Sequence, residues 1–388
     1  MGISAAAVAA AAGGRLAGES RAPGASRAGA EQAASRAPRF AYVGSFTSGA
    51  RSARGDGISA YRIDPESGRW GRVQALNKEV DPGYLAVDPK RPVLYAVHAE
   101  ANHASAFSIN DTTGELTLIN RQSCGGENPV HLALDATGRF LVVANYGSGS
   151  VAVFPVAANG ALGSRTDLVT LKGELGPHRT EQAAPHPHQC PFDPSGRFVV
   201  VPDKGLDRLF AFTLDTARGA LVPSDPPSVK TRSGAGPRHV AFNPRLPYAY
   251  VINELDSTVV TYRFSGSGRL EPLQILPSVP ATFTGDNTGA AIDVAPSGRF
   301  VYASNRGHDS IAMLLVDEST GLLSPMTWEP TKGATPRFIG LDPTGAKLYA
   351  ANQRADTIVE FDVNAASGLL AATGRIVITG TPVCVAWR

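Results

Sequence analysis

Cysteine is scarce in this 388-residue sequence: Cys124, Cys190 and Cys384 lie far apart, with no Cys-x-x-Cys pair. That spacing excludes a disulfide framework and a zinc knuckle, and the three read as small buried apolar residues. Charge of one sign is scarce as well, because 36 Lys and Arg against 34 Asp and Glu leave +2. No field of the kind that gathers phosphate backbones or anionic lipid results, so neither nucleic acid nor membrane is expected as a partner. The longest run of small apolar residues, Ile3 to Ala12, is mostly alanine and falls short of the ~20 residues that span a bilayer. There is no Gly-rich phosphate loop, HExxH motif or Ser-His-Asp arrangement recognisable from sequence alone. Histidines 186 and 188 flank a proline without an obvious carboxylate beside them. No cofactor and no metal are therefore expected.

Turn formers are abundant. Gly and Pro together make 41 + 29 = 70 residues, 18% of the chain, below the ~25–30% that marks low-complexity disorder. Residues 1–38 are almost entirely Ala, Gly, Arg, Ser and Glu, too poor in large apolar side chains to offset their ordering entropy, and are expected to form a disordered tail. The apolar stretch after Gly2 resembles a signal-peptide core but lacks the preceding basic residues. A cytoplasmic location follows, with export as the alternative if residues 1–38 are a truncated signal. Residues 39–388 are expected to form one domain.

That domain repeats. Turns of the form Asp-Pro-Ser-Gly-Arg occur near Asp88, Asp135, Asp193, Asn243, Ala295 and Asp342, at separations of 47, 58, 50, 52 and 47 residues. Each is followed by four to six residues rich in Val, Tyr, Phe and Leu, the length and composition of a strand. A second turn family, near Asp64, Asn110, Asn159, Asp215, Ser265, Asp317 and Asn364, counts seven units. The first family lacks its seventh member because Thr381 to Trp387 matches the strand before such a turn and Arg39 to Val43 the strand after it. Seven four-stranded units, one shared between the termini, predict an all-β, seven-bladed β-propeller closed by its terminal strands. A WD40 scaffold is disfavoured, since its Gly-His and Trp-Asp signatures are missing.

Labelling the strands of a blade A to D from the axis outward puts both turn families on one face. The B to C loops and the entries to strand A share the other, and there the sequence is irregular: Glu100-Ala-Asn-His, Asn145-Tyr-Gly-Ser, Asp203-Lys-Gly-Leu-Asp, Asn253-Glu-Leu-Asp, Asn305-Arg-Gly-His-Asp, Asn352-Gln-Arg-Ala-Asp. Seven of the eight histidines fall in or beside these segments. Most of the Asn and Asp residues are accounted for as turn formers. His186, His188, Arg238, His239 and Arg306 are not, because cations aimed into one narrow mouth repel unless an anion sits between them.

At these residues the chain resembles a known family. Pro185-His-Pro-His-Gln, Val201-Pro-Asp-Lys-Gly-Leu-Asp, Gly236-Pro-Arg-His, Tyr250-Val-Ile-Asn-Glu-Leu-Asp-Ser-Thr, Ser304-Asn-Arg-Gly-His-Asp-Ser-Ile and Gly380-Thr-Pro-Val-Cys are similar to segments of the seven-bladed lactonases. That group includes 6-phosphogluconolactonases and carboxymuconate lactonizing enzymes. The resemblance implies metal-independent opening or closing of a sugar or acid lactone at the channel mouth; hydrolysis of a sugar-acid lactone, a small anionic substrate, by a monomer or weak oligomer is the expectation. The resemblance makes Arg238 and Arg306 anion-binding residues and His186, His188 and His239 pocket residues; His131, His308 and Arg337 are further candidate substrate contacts on the same rim. The family commonly carries a Glu in the segment that here reads Thr288-Gly-Ala-Ala-Ile, so Ala291 stands where a carboxylate is expected.

Lactone hydrolysis needs a base for water and a positive group for the oxyanion. With Ala291 unable to serve, His188 or His186 is the first candidate base and Glu181 the second, while Arg306 or Arg238 neutralises the developing charge. The alternatives are a non-catalytic propeller that binds an anionic ligand or protein partner, and a carboxymuconate-type cycloisomerase.

Overall fold

The recurring turn folds as it does because its first side chain caps it. Asp135 accepts the backbone N–H groups of Thr137 and Phe140 at 3.0 and 2.7 Å, and Asp193 accepts those of Ser195 and Phe198 at 3.1 and 2.8 Å. Gly138 and Gly196 close these turns at φ 72° and 71°, a left-handed conformation that a Cβ disfavours. The structure, a computed structural model, describes residues 37–388. Apart from Ala37 and Pro38, the expectations for the N-terminal tail lie outside the described residues.

The strands form seven antiparallel sheets arranged as blades. Blade 1 joins the C-terminal strand Pro382–Trp387 to Phe40–Ser45, Ile58–Ile63 and Trp70–Leu76, with Tyr42 opposite Ala386 and Val43 opposite Val385. The predicted closure by the two termini is therefore present. Blade 2 comprises Pro82–Val87, Val93–His98, His103–Ile109 and Leu116–Ser123, and blade 3 Pro129–Leu134, Phe140–Asn145, Ser150–Pro155 and Asp167–Thr170. Blades 5, 6 and 7 begin with Pro237–Phe242, Thr288–Val294 and Pro336–Leu341.

Blade 4 is irregular. Phe198–Asp203, Arg208–Asp215 and Ala220–Lys230 form three regular strands, and an extended segment takes the innermost place through isolated bridges Pro187↔Asp203 and Phe192↔Val199. Pro185, Pro187 and Pro191 lack the N–H that a regular ladder requires. Their effect is to hold His186, His188 and Gln189 in a loosely paired strand at the axis.

Apolar clusters fill the space between blades, as where Tyr42 and Val43 of blade 1 pack with Leu94 and Phe107 of blade 2. A tyrosine in strand B latches each of several blades to the next: Tyr42 O–H donates to the Gly114 carbonyl, Tyr95 to Gly160, Tyr250 to Gly321 and Tyr302 to Gly368, at 3.0–3.2 Å. Each such buried bond contributes about 1 kcal/mol. All three cysteines are free and buried.

Candidate active site

Two rings of side chains meet on the irregular rim. The upper ring comes from the residue following the last position of strand B. There the backbone N–H of Phe46, Ala99, Tyr146, Lys204, Glu254 or Gln353 donates to the carbonyl just ahead of strand A in its own blade, and Arg306, opposite Thr288, completes the set. The lower ring comes from strand A: Tyr84, His131, His239 and Phe338 stand in matching registers beside a local irregularity after the first residue. In blade 4 the proline-rich segment supplies His188 and Gln189.

Blades 4, 5 and 6 place Lys204, Glu254 and Arg306 in succession on the upper ring, and their charges alternate. Glu254 Oε2 lies 2.9 Å from Arg238 Nε and 3.1 Å from Arg306 Nη2, while Oε1 lies 3.2 Å from Lys204 Nζ. Lys204 Nζ also reaches Glu181 Oε2 at 2.6 Å. Arg238 Nη1 donates to the Ala290 carbonyl at 2.5 Å, and Arg306 Nη2 to that of Gly289 at 3.0 Å. Burial acts to raise the Glu254 pKa, but Arg306, Lys204, Arg238 and Arg337 outweigh it and hold the carboxyl well below its usual range. The cations around it thus favour the ionised form of Glu254.

Arg337 differs from its neighbours. Among the described residues its side chain has no ion pair, and its guanidinium lies over the Phe46 ring at 5.4 Å. Burial and the charge of Arg306 lower its pKa to about 10, which leaves it protonated near neutrality. Four cations, Lys204, Arg238, Arg306 and Arg337, therefore surround two carboxylates, Glu254 and Glu181, an excess of two positive charges.

The imidazoles are neutral bases. The ring of His186 stacks on Tyr146 at 4.3 Å, and its Nδ1 lies 2.9 Å from the Tyr146 carbonyl. A carbonyl only accepts, so Nδ1 carries the proton and Nε2 presents its lone pair. Burial and the Lys204 charge lower the His186 pKa, opposed by that hydrogen bond. His188, His239 and His131 form a buried chain, with ring centroids 5.2 and 6.3 Å apart in succession. Burial, then the charge of Arg238, push His188 and His239 well below the ordinary value and His131 down to about 3. The Cys190 N–H donates to His131 Nδ1 at 3.3 Å, so the His131 proton is on Nε2.

The structure brings together His131, His186, His188, Arg238, His239, Arg306 and, through Lys204, Glu181. It leaves His308 aside: that ring packs against Phe283 at 4.8 Å and its Nδ1 meets Ser310 Oγ at 2.6 Å. Glu181 is half exposed and held by Lys204, a poor position from which to take a proton. Arg238 and Arg306 were expected to await an external anion; an internal carboxylate already occupies both. Ala291 is buried on strand A, within an apolar cluster that includes Tyr302 and Ile339.

Sequence reasoning passed over Glu254, Lys204 and Tyr146 as loop residues. Alignment of the upper-ring positions would have exposed Lys, Glu and Arg in three consecutive blades. Arg306 borders an open depression of about 590 Å³ that Asn287, Thr288, Asp309 and Arg354 also line. A cavity of about 650 Å³, lined by Tyr61, Trp70 and Tyr349, lies at the outer strands of blades 1 and 7, away from these charges.

The model of the seven-bladed β-propeller lactonase family matches residues 40–387. The chain is 36% identical over 299 residues to the 6-phosphogluconolactonase of Bacillus subtilis, covering 76% of this chain and 83% of that protein. To the 6-phosphogluconolactonase of Formosa agariphila it is 31% identical over 312 residues, covering 78% and 86%. The periplasmic gluconolactonase of Pseudomonas aeruginosa superposes with a TM-score of 0.81 at 28% identity, covering 89% of this chain and 98% of that one.

Proposed function

Because the chain belongs to the seven-bladed β-propeller lactonase family, we propose that it hydrolyses a sugar-acid lactone bearing an anionic group, in the manner of a 6-phosphogluconolactonase, at the rim described above. The observation that carries this reading is the cation excess around Glu254, with Arg337 in no ion pair among the described residues and a neutral, oriented His186 on the same rim. A phosphate or carboxylate group would complete that charge balance, and a guanidinium matches its geometry.

In this reading Arg337 holds the substrate's anionic group. His186 Nε2 takes a proton from water as the water oxygen attacks the lactone carbonyl carbon. Arg306, anchored by Glu254 and the Gly289 carbonyl, stabilises the oxyanion that forms. Collapse breaks the ring C–O bond, the proton passes from His186 to the leaving oxygen, and an open hydroxy acid remains. Glu254 is a positioning residue: it holds Arg238, Arg306 and Lys204 at fixed separations, and its low pKa makes it a weak base. General-base assistance contributes ~10²–10⁴-fold, enough to matter for an ester that already opens in water.

The test is initial-rate hydrolysis of a panel of phosphorylated and plain aldonolactones, corrected for spontaneous opening. Turnover of phosphorylated members in preference to plain ones is expected. Absence of turnover across the panel by folded protein would favour an anion-binding propeller. Turnover only of carboxymuconate-type lactones would favour a cycloisomerase.

A further inference from the structure

A second cluster lies on blade 2. His98 ends strand B and His103 begins strand C, and they face each other across the hairpin with rings stacked at 4.3 Å and 26°. Glu79, from the connection into strand A, lies beside them, buried. His98 Nδ1 is 3.1 Å from the Val80 carbonyl and His103 Nδ1 is 3.1 Å from the Ala101 carbonyl. Since carbonyls only accept, both Nδ1 atoms carry protons and both Nε2 atoms present bare lone pairs.

Those lone pairs find no donor. Both Nε2 atoms are buried without a hydrogen-bond partner among the described residues, and the His98 side chain is 0% exposed. A polar atom desolvated in this way is costly unless something binds it. The nearest polar group is Glu79 Oε2, 3.6 Å from His98 Nε2, which, as a carboxylate, has no proton to give. Three acceptors thus converge, their ligand atoms all within 4.8 Å of one another, and a single cation would satisfy all three at once.

The arrangement matches what a metal requires. Imidazoles that ligate through Nε2 ordinarily donate their other N–H to a carbonyl or carboxylate, which fixes tautomer and ring angle. Tetrahedral bonds of about 2.1 Å place ligand atoms about 3.4 Å apart, close to the 3.6 Å between His98 Nε2 and Glu79 Oε2. Two imidazoles and one carboxylate suit zinc or a neighbouring first-row divalent ion and leave a fourth position for water. Arg121 pairs with the other Glu79 oxygen, Oε1, so Oε2 remains for the ion while the guanidinium weakens its hold.

We propose that Glu79, His98 and His103 form a binding site for one zinc-class divalent ion, separate from the Glu254 cluster and independent of the lactonase reading. The expectation that the chain takes no metal came from contiguous motifs, whereas these ligands come from a loop and two strands.

The test uses the tag-free full chain, stripped with chelator and titrated with Co²⁺, whose visible absorption distinguishes four-coordinate nitrogen and oxygen ligation. Zn²⁺ retention after dialysis is measured by elemental analysis. Expected are one ion per chain, a four-coordinate Co²⁺ spectrum displaced by Zn²⁺, and a rise in melting temperature with Zn²⁺. Glu79→Gln and His103→Gln, checked for folding by circular dichroism, should each weaken Co²⁺ binding at least about tenfold, as loss of even an outer-shell partner does. Arg121→Met should tighten it, and His186→Ala should leave it unchanged. A folded parent that shows no Co²⁺ spectrum and retains no zinc overturns the proposal. So does a spectrum that survives both ligand variants, which would assign the ion elsewhere.

Discussion

Glu254 Oε2 lies 2.9 Å from Arg238 Nε, and both side chains are buried. A guanidinium nominally available to substrate is therefore committed to the protein's own carboxylate. In the mechanism proposed above, Arg238 serves to position the site and Arg337 is the cation assigned to the substrate's anionic group.

Removing that carboxylate should be felt in stability first. Glu254→Gln leaves Arg238 and Arg306 as uncompensated like charges, with Lys204 still held by Glu181, and breaking a buried pair in this way costs about 3–5 kcal/mol. A double variant, Glu254→Gln with Arg238→Met, should recover part of the loss, because the two sites are coupled. Equal melting temperatures for the parent and Glu254→Gln would mean that the cluster is not structural.

If His186 is the base, kcat should fall ~10²–10⁴-fold in His186→Ala with the melting temperature unchanged. Its pKa is lowered by burial, so the base is unprotonated above that value, and kcat should rise with pH through a limb lying below 6.5 and be flat above it. An exposed histidine would place the limb near ~6.5. Neutral-pH activity retained in His186→Ala would move the role to His188.

Acid should destabilise the fold. His131, His188 and His239 have folded pKa values below 6.5, so between 6.5 and those values the unfolded chain binds protons that the folded one refuses. Stability then falls with pH by up to about 1.4 kcal/mol per unit for each histidine. Glu254, also lowered, adds the same sign once the pH enters the ordinary carboxylate range. Asp203 and Asp293, raised by burial to about 6, act in the opposite sense between 3.8 and 6 and blunt the loss. Melting temperature should drop from pH 7 to pH 5, and His131→Gln should flatten the slope. A constant melting temperature over that range contradicts the buried-histidine account.

Ring closure has its own test. Val383, Cys384, Val385 and Ala386 are buried in blade 1, and deleting the last eight residues opens the edge of Phe40–Ser45. That truncation should unfold or aggregate, whereas removing residues 1–37 should leave the melting temperature unchanged. A well-folded C-terminal truncation would contradict closure by the termini.

The architecture was legible because turns of the same chemistry recur in six blades, five of them capped by their first side chain, such as Asp135 or Asp193. Ala295 breaks the pattern without breaking the turn, since the Gly298 N–H still meets the Ala295 carbonyl at 2.7 Å. The rim was legible as a location and only partly as a mechanism. Arg238, Arg306 and His186 stood out as cations and imidazoles in unusual strings. Glu254 did not, because Asn253-Glu-Leu-Asp reads equally well as a turn, and only the ring brings it between Lys204 and Arg306. The Glu79, His98 and His103 cluster was hidden for the same reason: strand pairing and a loop bring together residues separated in the chain.

Arg337 offers the most direct measurement of the central claim, by comparing parent and Arg337→Met on a phosphorylated aldonolactone and its unphosphorylated counterpart. A charge-assisted contact contributes about 1.5–3 kcal/mol, so the variant should lose roughly 10- to 150-fold in kcat/KM on the phosphorylated substrate, mostly through KM, and much less on the plain one. Inorganic phosphate should inhibit the parent and lose that effect in the variant. Equal losses on both substrates, or none on either, would contradict recognition of an anionic lactone by the cation that Glu254 leaves free.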